Sequence, residues 1–201
     1  MLLAIDTSAG TSVAIVDRDA GVLAERNSAD TRGHAEIIGT FIEQVLAESG
    51  IAVTALSGVA VGMGPGPFTG LRVGIAAARA FAFGAGKPVV AVVSHDAVAF
   101  GLTEPTLVVT DARRREVYWS RFEGTDPDGL PIRLDGPALC RPDELPEDAR
   151  YRRIDAVEVS AASVGLLAEA LFAHGRPFAA DEALYLRSPD VTVSAGPKRV
   201  S

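Results

Sequence analysis

Hydrophobic and polar positions change period several times along the chain, and each change marks an element. Leu2 to Asp6 is a short apolar run, and Asp6-Thr7-Ser8-Ala9-Gly10 then has the small polar residues and the glycine of a turn. Thr11 to Asp17 alternates and is β-branched, which predicts a strand. Asp19-Ala20-Gly21 turns the chain again, and Val22 to Ser28 predicts the third strand of an antiparallel meander. From His34 to Ser49 the period lengthens. Ile37, Ile38, Phe41, Ile42, Val45 and Leu46 recur at helical spacing as a broad apolar stripe, with Glu36, Glu43, Gln44 and Glu48 largely off it. Gly50 suits the left-handed residue that ends a helix. Gly58 to Gly62 predicts a buried strand, Gly64 to Pro67 a rigid loop, and Thr69 the cap of a second helix reaching about Phe83. Val89 to Val93 predicts another strand and Ser94 to Gly101 a short helix. The first half therefore reads βββαβα, followed by a further βα.

The second half opens in the same way. Thr106 to Asp111 is an apolar run ending in Asp, Ala112 to Arg115 a polar turn, Glu116 to Glu123 an alternating strand, and Leu130 to Asp135 a third. The parallel with Leu2 to Asp17 is a weak internal duplication. Gly124 to Arg153 is rich in Pro, Asp and Gly and predicts mostly loop. Ser160 to His174 predicts a helix with Val164, Leu167, Ala168 and Leu171 on one face. The tail from Ser188 has no periodicity and is expected to be poorly ordered. A duplicated βββα unit with mixed sheets is the plan of actin-like and sugar-kinase-like α/β ATPases. It divides the chain into an N-terminal lobe, 1–102, and a shortened C-terminal lobe, 103–201.

Composition narrows the function classes. The 201 residues are 48% hydrophobic and 22% charged, which excludes a disordered chain. A net charge of −7 opposes autonomous nucleic-acid binding, which needs a positive field to displace counterions from phosphates. One cysteine, Cys140, excludes an intramolecular disulfide and a Cys-cluster metal site. The first five residues read as a strand rather than a signal peptide, and no apolar stretch approaches the ~20 residues of a membrane span. A cytoplasmic protein without membrane contact is expected.

Three features could carry chemistry. Gly62 to Gly70 (GMGPGPFTG) follows a strand and opens a helix, where backbone amides hold phosphate in other proteins. Its spacing fits neither the dinucleotide fingerprint nor a Walker loop, and Pro65 and Pro67 remove two donors, so a rigid structural turn is the stronger reading. Gly70, Gly74, Ala78 and Ala82 lie four apart and stack on one helix face. Close packing against the chain's own sheet and an intermolecular helix contact both explain that stripe. Asp6-Thr7-Ser8 and Asp111-Ala112-Arg113 occupy equivalent turns. These would face an interlobe cleft and hold phosphate, or would be plain side-chain turns. His34, His95 and His174 are far apart and lack metal-ligand spacing, and His34 and His95 read as cap or loop residues. Arg113-Arg114-Arg115 reads as a solvated hairpin tip.

Several segments together resemble one family: IDTS at 5–8, HAE at 34–36, GPGPFTGLRVG at 64–74, VSHDAVA at 93–99, DARRREVYW at 111–119 and YLR at 185–187. In order and spacing they are similar to the bacterial TsaB family, also called YeaZ, over nearly the whole chain. The resemblance implies a two-lobed actin-like (ASKHA) fold and no catalysis of its own. It implies a role as scaffold or activator of a catalytic TsaD-like paralogue, which transfers threonylcarbamoyl to the adenosine next to the tRNA anticodon. TsaD carries a His-x-x-x-His metal motif that this chain lacks.

The resemblance also implies a TsaE-like ATPase as a further partner, a homodimer when alone, and contact with tRNA only through partners. It implies a pairing surface on helices 34–49 and 69–83, with His34, Ile37, Ile38, Phe41, Ile42, Val45, Gly70, Leu71, Gly74 and Ala78 as interface candidates. No metal or cofactor of its own is expected. ATP or ADP is a candidate at the surface shared with the paralogue, and Asp6, Thr7, Ser8, Gly64, Gly66 and Asp111 are the candidate phosphate contacts. Two departures stand out. His34-Ala35-Glu36 replaces the family's HSE-like motif, and no Gly-rich turn occurs between 140 and 158, which argues against a complete ATP pocket. The rival readings are an actin-like ATPase or sugar kinase using Asp6 and Asp111 and, more remotely, a metalloprotease.

Overall fold

The computed structural model describes residues 1–187; the tail from Ser188 lies outside the described residues. Two mixed sheets form the frame. The first holds β1 (Leu2–Asp6), β2 (Thr11–Asp17), β3 (Gly21–Ser28), β4 (Gly58–Gly62) and β5 (Val89–Val92) in the order β3-β2-β1-β4-β5. β1–β3 are an antiparallel meander, and β4 and β5 add in parallel. The second holds β6 (Thr106–Asp111), β7 (Val117–Thr125), β8 (Pro131–Cys140) and β9 (Arg152–Asp155) in the order β8-β7-β6-β9. That order repeats β3-β2-β1-β4, so the duplication read from the sequence is present in the topology. The second copy lacks a helix between its third and fourth strands and has only a 3-10 turn, Pro142–Glu144.

Helices α1 (His34–Ser49) and α2 (Phe68–Ala85) cover one face of the first sheet. α3 (Ser94–Ala99) links the two sheets. α4 (Ala161–Ala173) falls in the second half by chain position, yet it packs across β1, β2 and β4 on the opposite face of the first sheet. β1 is thereby buried on both faces, which is why its sequence is a continuous apolar run instead of an alternating one. Leu3, Ile5, Val13, Ile15, Val59 and Val61 point toward α1 and α2. Ala4, Ala14 and Ala60 point toward α4, where small side chains let the helix sit close. A Cβ added at Gly165 of α4 would lie 3.0 Å from Ala4 Cβ. The N-terminus of α4 is held by a side chain from a distant strand. Glu25 Oε1 on β3 accepts from Ser160 Oγ (2.7 Å) and from the Ala162 amide (3.1 Å), and Ser160 Oγ caps Ser163.

Some elements differ from the sequence expectation. α2 begins one residue before Thr69, and its cap position is Pro67, without a side-chain hydrogen bond. It runs on to Ala85 and closes on left-handed Gly86, because Gly84 does not break it. The stretch 124–153 is not mostly loop: it contains the ten-residue β8 and supplies the first two residues of β9. Both are edge strands. Proline is tolerated on such a strand, where one side of the backbone needs no partner.

Candidate functional site

Two regions hold the sequence candidates: the turn after β1 with the loop Met63–Pro67, and the outward surface of α1 and α2. In the first, Asp6 is fully buried and makes three short hydrogen bonds. Oδ1 accepts from the Ser8 amide (2.7 Å) and Ser8 Oγ (2.6 Å), and Oδ2 accepts from Ser94 Oγ (2.6 Å). Burial pushes its carboxyl above the usual range, and the bonds from Ser8 and Ser94 oppose that shift. Ser94 also accepts from the Gly64 amide (3.0 Å) and donates its own amide to Gly64 O (2.8 Å). Ser94 is the residue the sequence reading missed: nothing in VSHDAVA signals a contact 88 positions away with Asp6.

Thr7 serves the neighbouring helix. Its hydroxyl donates to Gly70 O (2.7 Å) and accepts from the Gly74 amide (3.2 Å). At Gly66 a Cβ would lie 2.8 Å from the Ser8 backbone, so glycine is required there by close approach of two loops. The GPGP loop is therefore a structural lock between β1, α2 and α3.

Of the six candidate phosphate contacts, only Ser8 and Asp111 line the interlobe cleft, a cavity of about 210 Å3 that also includes Thr31, Arg113, Val117 and Asp155. Asp6, Thr7, Gly64 and Gly66 are committed to the lock. Asp111 is exposed and accepts from the Arg113 amide (3.0 Å), a side-chain turn. Arg113, Arg114 and Arg115 all have positive φ, 61°, 53° and 63°. Left-handed backbone costs roughly 1–2 kcal/mol per non-glycine residue, and contacts on both sides of the turn restrain it. Arg113 donates to Thr31 Oγ1 (2.6 Å) across the cleft, and Arg187 donates to Ala112 O (3.0 Å) and pairs with Glu116. The tip is thus docked and not simply solvated.

His34 and His95 are not cap or loop residues: they lie within α1 and α3. His34 Nδ1 lies 2.7 Å from Thr11 Oγ1, and burial, then Arg113, lowers its pKa. His95 sits in the core between Ser120 Oγ (2.8 Å) and Thr110 Oγ1 (2.9 Å), and burial pushes its pKa down to about 3.

The helix surface corrects the interface candidates. Gly70, Leu71, Gly74 and Ala78 are buried against the chain's own sheet, as are His34, Ile38 and Val45. A Cβ at Gly70 would lie 2.7 Å from Thr7 O, and one at Gly74 would overlap Thr7 Oγ1. The small-residue stripe exists for intramolecular packing. Ile37, Phe41 and Ile42 are half-buried. The outward face of α2 is a second set: Thr69, Arg72, Ala76, Ala80 and Phe83 are exposed, with Val73, Ala77 and Phe81 half-buried beside them. Phe83 is 91% exposed. Residues 179–187 flank this face. Asp181 pairs with Arg79, and the Tyr185 ring lies 4.8 Å from that of Phe68.

Comparison with known proteins agrees with this architecture. Residues 12–135 match the family model described as TsaD: tRNA N6-adenosine threonylcarbamoyltransferase. YeaZ from Pseudomonas aeruginosa superposes with a TM-score of 0.76 at 27% identity, covering 92% of this chain and 99% of that one. An uncharacterized protein of Mycobacterium tuberculosis is 42% identical over 197 residues, 94% of this chain and 92% of the relative. The tRNA threonylcarbamoyladenosine biosynthesis protein TsaB of Escherichia coli is 31% identical over 151 residues, 73% of this chain and 64% of that protein. A Mycobacterium leprae relative, 44% identical over 149 residues, is longer, and the match spans 40% of it. The duplicated sheets and the matching model define an actin-like α/β protein of the TsaD type. Within that class, the chain belongs to the TsaB (YeaZ) family.

Proposed function

We propose that this chain acts in threonylcarbamoyladenosine biosynthesis as a non-catalytic subunit that pairs with a TsaD-type transferase. The outward face of α1 and α2 is the pairing surface. The observation that carries the reading is the composition of that face. Ala76 and Ala80 expose a shallow apolar strip, flanked by Val73, Ala77, Phe81, Ile37 and Phe41, on helices whose inner faces are already satisfied. The names of the TsaB relatives support the process. The chain's own chemistry supports the absence of catalysis, since Asp6, the acid best placed for an actin-like phosphate loop, spends both oxygens on the Ser8–Ser94 lock. ATP or ADP would then sit at the surface shared with the transferase and not in this chain alone. A TsaE-like ATPase would join the pair, and tRNA would be reached through the partners. In their absence the same face would join two copies of this chain.

The test is co-purification with the TsaD-type protein of the same organism, using the wild type and Ala80→Arg. Ala80 is exposed, so the variant folds, and a bulky charge in the strip breaks the pair. ATP turnover by the purified chain alone would favour the kinase-like alternative instead.

A further inference from the structure

Beside the outward face of α2, between that helix and the segment 181–185, runs a groove of about 600 Å3. Ile75, Ala76 and Ala183 give it an apolar lining. The segment is fixed to the first sheet: the Ala179 amide donates to Ala91 O (3.0 Å) and the Leu184 amide to Met63 O (2.8 Å). Two arginines line the groove, in different states. Arg79 pairs with Asp181 at 2.8 Å, and Glu182, next in the chain, adds a second carboxylate. Arg72 is exposed and has no acid. Its guanidinium carbon lies 3.7 Å from the Phe68 ring centroid and 5.9 Å from that of Tyr185, and its Nε donates to the Tyr185 hydroxyl (3.3 Å). Among the described residues its two terminal nitrogens donate to nothing. The rings hold the fork in place before anything binds, which lowers the ordering cost of using it.

We infer that Arg72 is the charged anchor of the pairing surface, and that the groove receives a segment of the TsaD-type partner whose aspartate or glutamate meets it. The inference rests on the pairing proposed above and adds the chemistry the partner brings. Arg72 and Ala76 are one helical turn apart, about 6 Å along the axis, so an occupant of the strip at Ala76 and Ala80 also covers Arg72. Covering it without an acid would strand a desolvated cation. A carboxylate accepts from both terminal nitrogens of a guanidinium at once. Asp181 and Glu182 repel an acid from the Arg79 end, which leaves the Arg72 end as its place.

The test is equilibrium titration of the TsaD-type protein from the same organism with wild type, Arg72→Gln and Arg72→Glu, at ~50 and ~500 mM salt, conditions that shorten the range of exposed charges severalfold. At low salt Arg72→Gln should bind about tenfold more weakly than wild type, and Arg72→Glu more weakly still, because it sets like charges together. At high salt the three should converge, and wild-type affinity should fall. Arg72 is exposed, so Tm should stay unchanged in both variants. A side chain that acts by shape alone would lose the same affinity in both variants at both salt concentrations, and that result would overturn the inference, as would wild-type affinity indifferent to salt. Those failures leave the pairing itself intact, whereas a wild type that does not bind the partner defeats the pairing and the anchor together.

Discussion

Gly74→Ala probes the packing of α2 on the first sheet with a single methyl group. The new Cβ would overlap Thr7 Oγ1 and lie 3.0 Å from Thr7 Cγ2 and 3.1 Å from Thr7 Cβ. Thr7 follows β1 directly and its hydroxyl is hydrogen-bonded to both Gly70 and Gly74, so it cannot swing away cheaply. Overpacking a core of this kind costs ~1–3 kcal/mol. Displacing the hydroxyl gives up two buried hydrogen bonds worth about 1 kcal/mol each. Against these, alanine recovers ~1 kcal/mol of helix propensity. The balance is a loss of about 2–4 kcal/mol, or roughly 5–15 °C in Tm for a chain of this length.

Thermal and urea unfolding of the isolated chain measure it. A Thr7→Ala/Gly74→Ala double variant removes the overlapping atoms, so the cycle should show at least ~1 kcal/mol of favourable coupling between neighbours in contact. A Gly74→Ala variant as stable as wild type, or more stable, would refute the packing argument and return Gly74 to an exposed face.

Other outcomes follow from the same geometry. Gly39 on α1 and Gly84 on α2 have nothing within 4 Å of an added Cβ, so Gly39→Ala and Gly84→Ala should each stabilise by about 0.5–1 kcal/mol in urea unfolding; destabilisation would show a hidden contact. Asp96 has a folded-state pKa of about 6 against an ordinary 3.8, so the charged form is disfavoured in the native state. Its contribution to stability is present below 3.8, is lost as pH rises to about 6, and stays lost above. Asp96→Asn should therefore gain up to ~3 kcal/mol on wild type between pH 4 and 7.5, less what Arg133 loses without its partner. A difference in Tm that does not change over that range would contradict the shift.

The elements that periodicity sets were legible in the sequence. The β1–β3 meander, α1, β4 and the body of α2 follow from alternation, helical spacing and glycine stops. β8 was legible only over its first half, as the strand expected from Leu130 to Asp135, and β9 not at all, because edge strands carry prolines and arginines and bury little. Gly70 and Gly74 were recognised as sites of close approach, but a small-residue stripe does not say what approaches. The answer, Thr7, is 63 and 67 residues away and was visible only as part of a polar turn. The same limit hid Ser94, and it made Asp6 look available for phosphate when both its oxygens are taken. The outward strip of Ala76 and Ala80 escaped notice because the inner stripe, with its glycines, was the stronger pattern.

α1 and α2 satisfy their inner faces within the chain, and the proposed pairing gives their outer faces to a TsaD-type partner. Isothermal titration of this chain into that partner from the same organism, with wild type, Ala76→Arg and Ala80→Arg, tests it most directly. A 1:1 interaction is expected for the wild type, with a loss of at least tenfold in affinity, about 1.4 kcal/mol, for each variant at unchanged Tm. No detectable heat with the wild type, or undiminished binding by both variants, would contradict it.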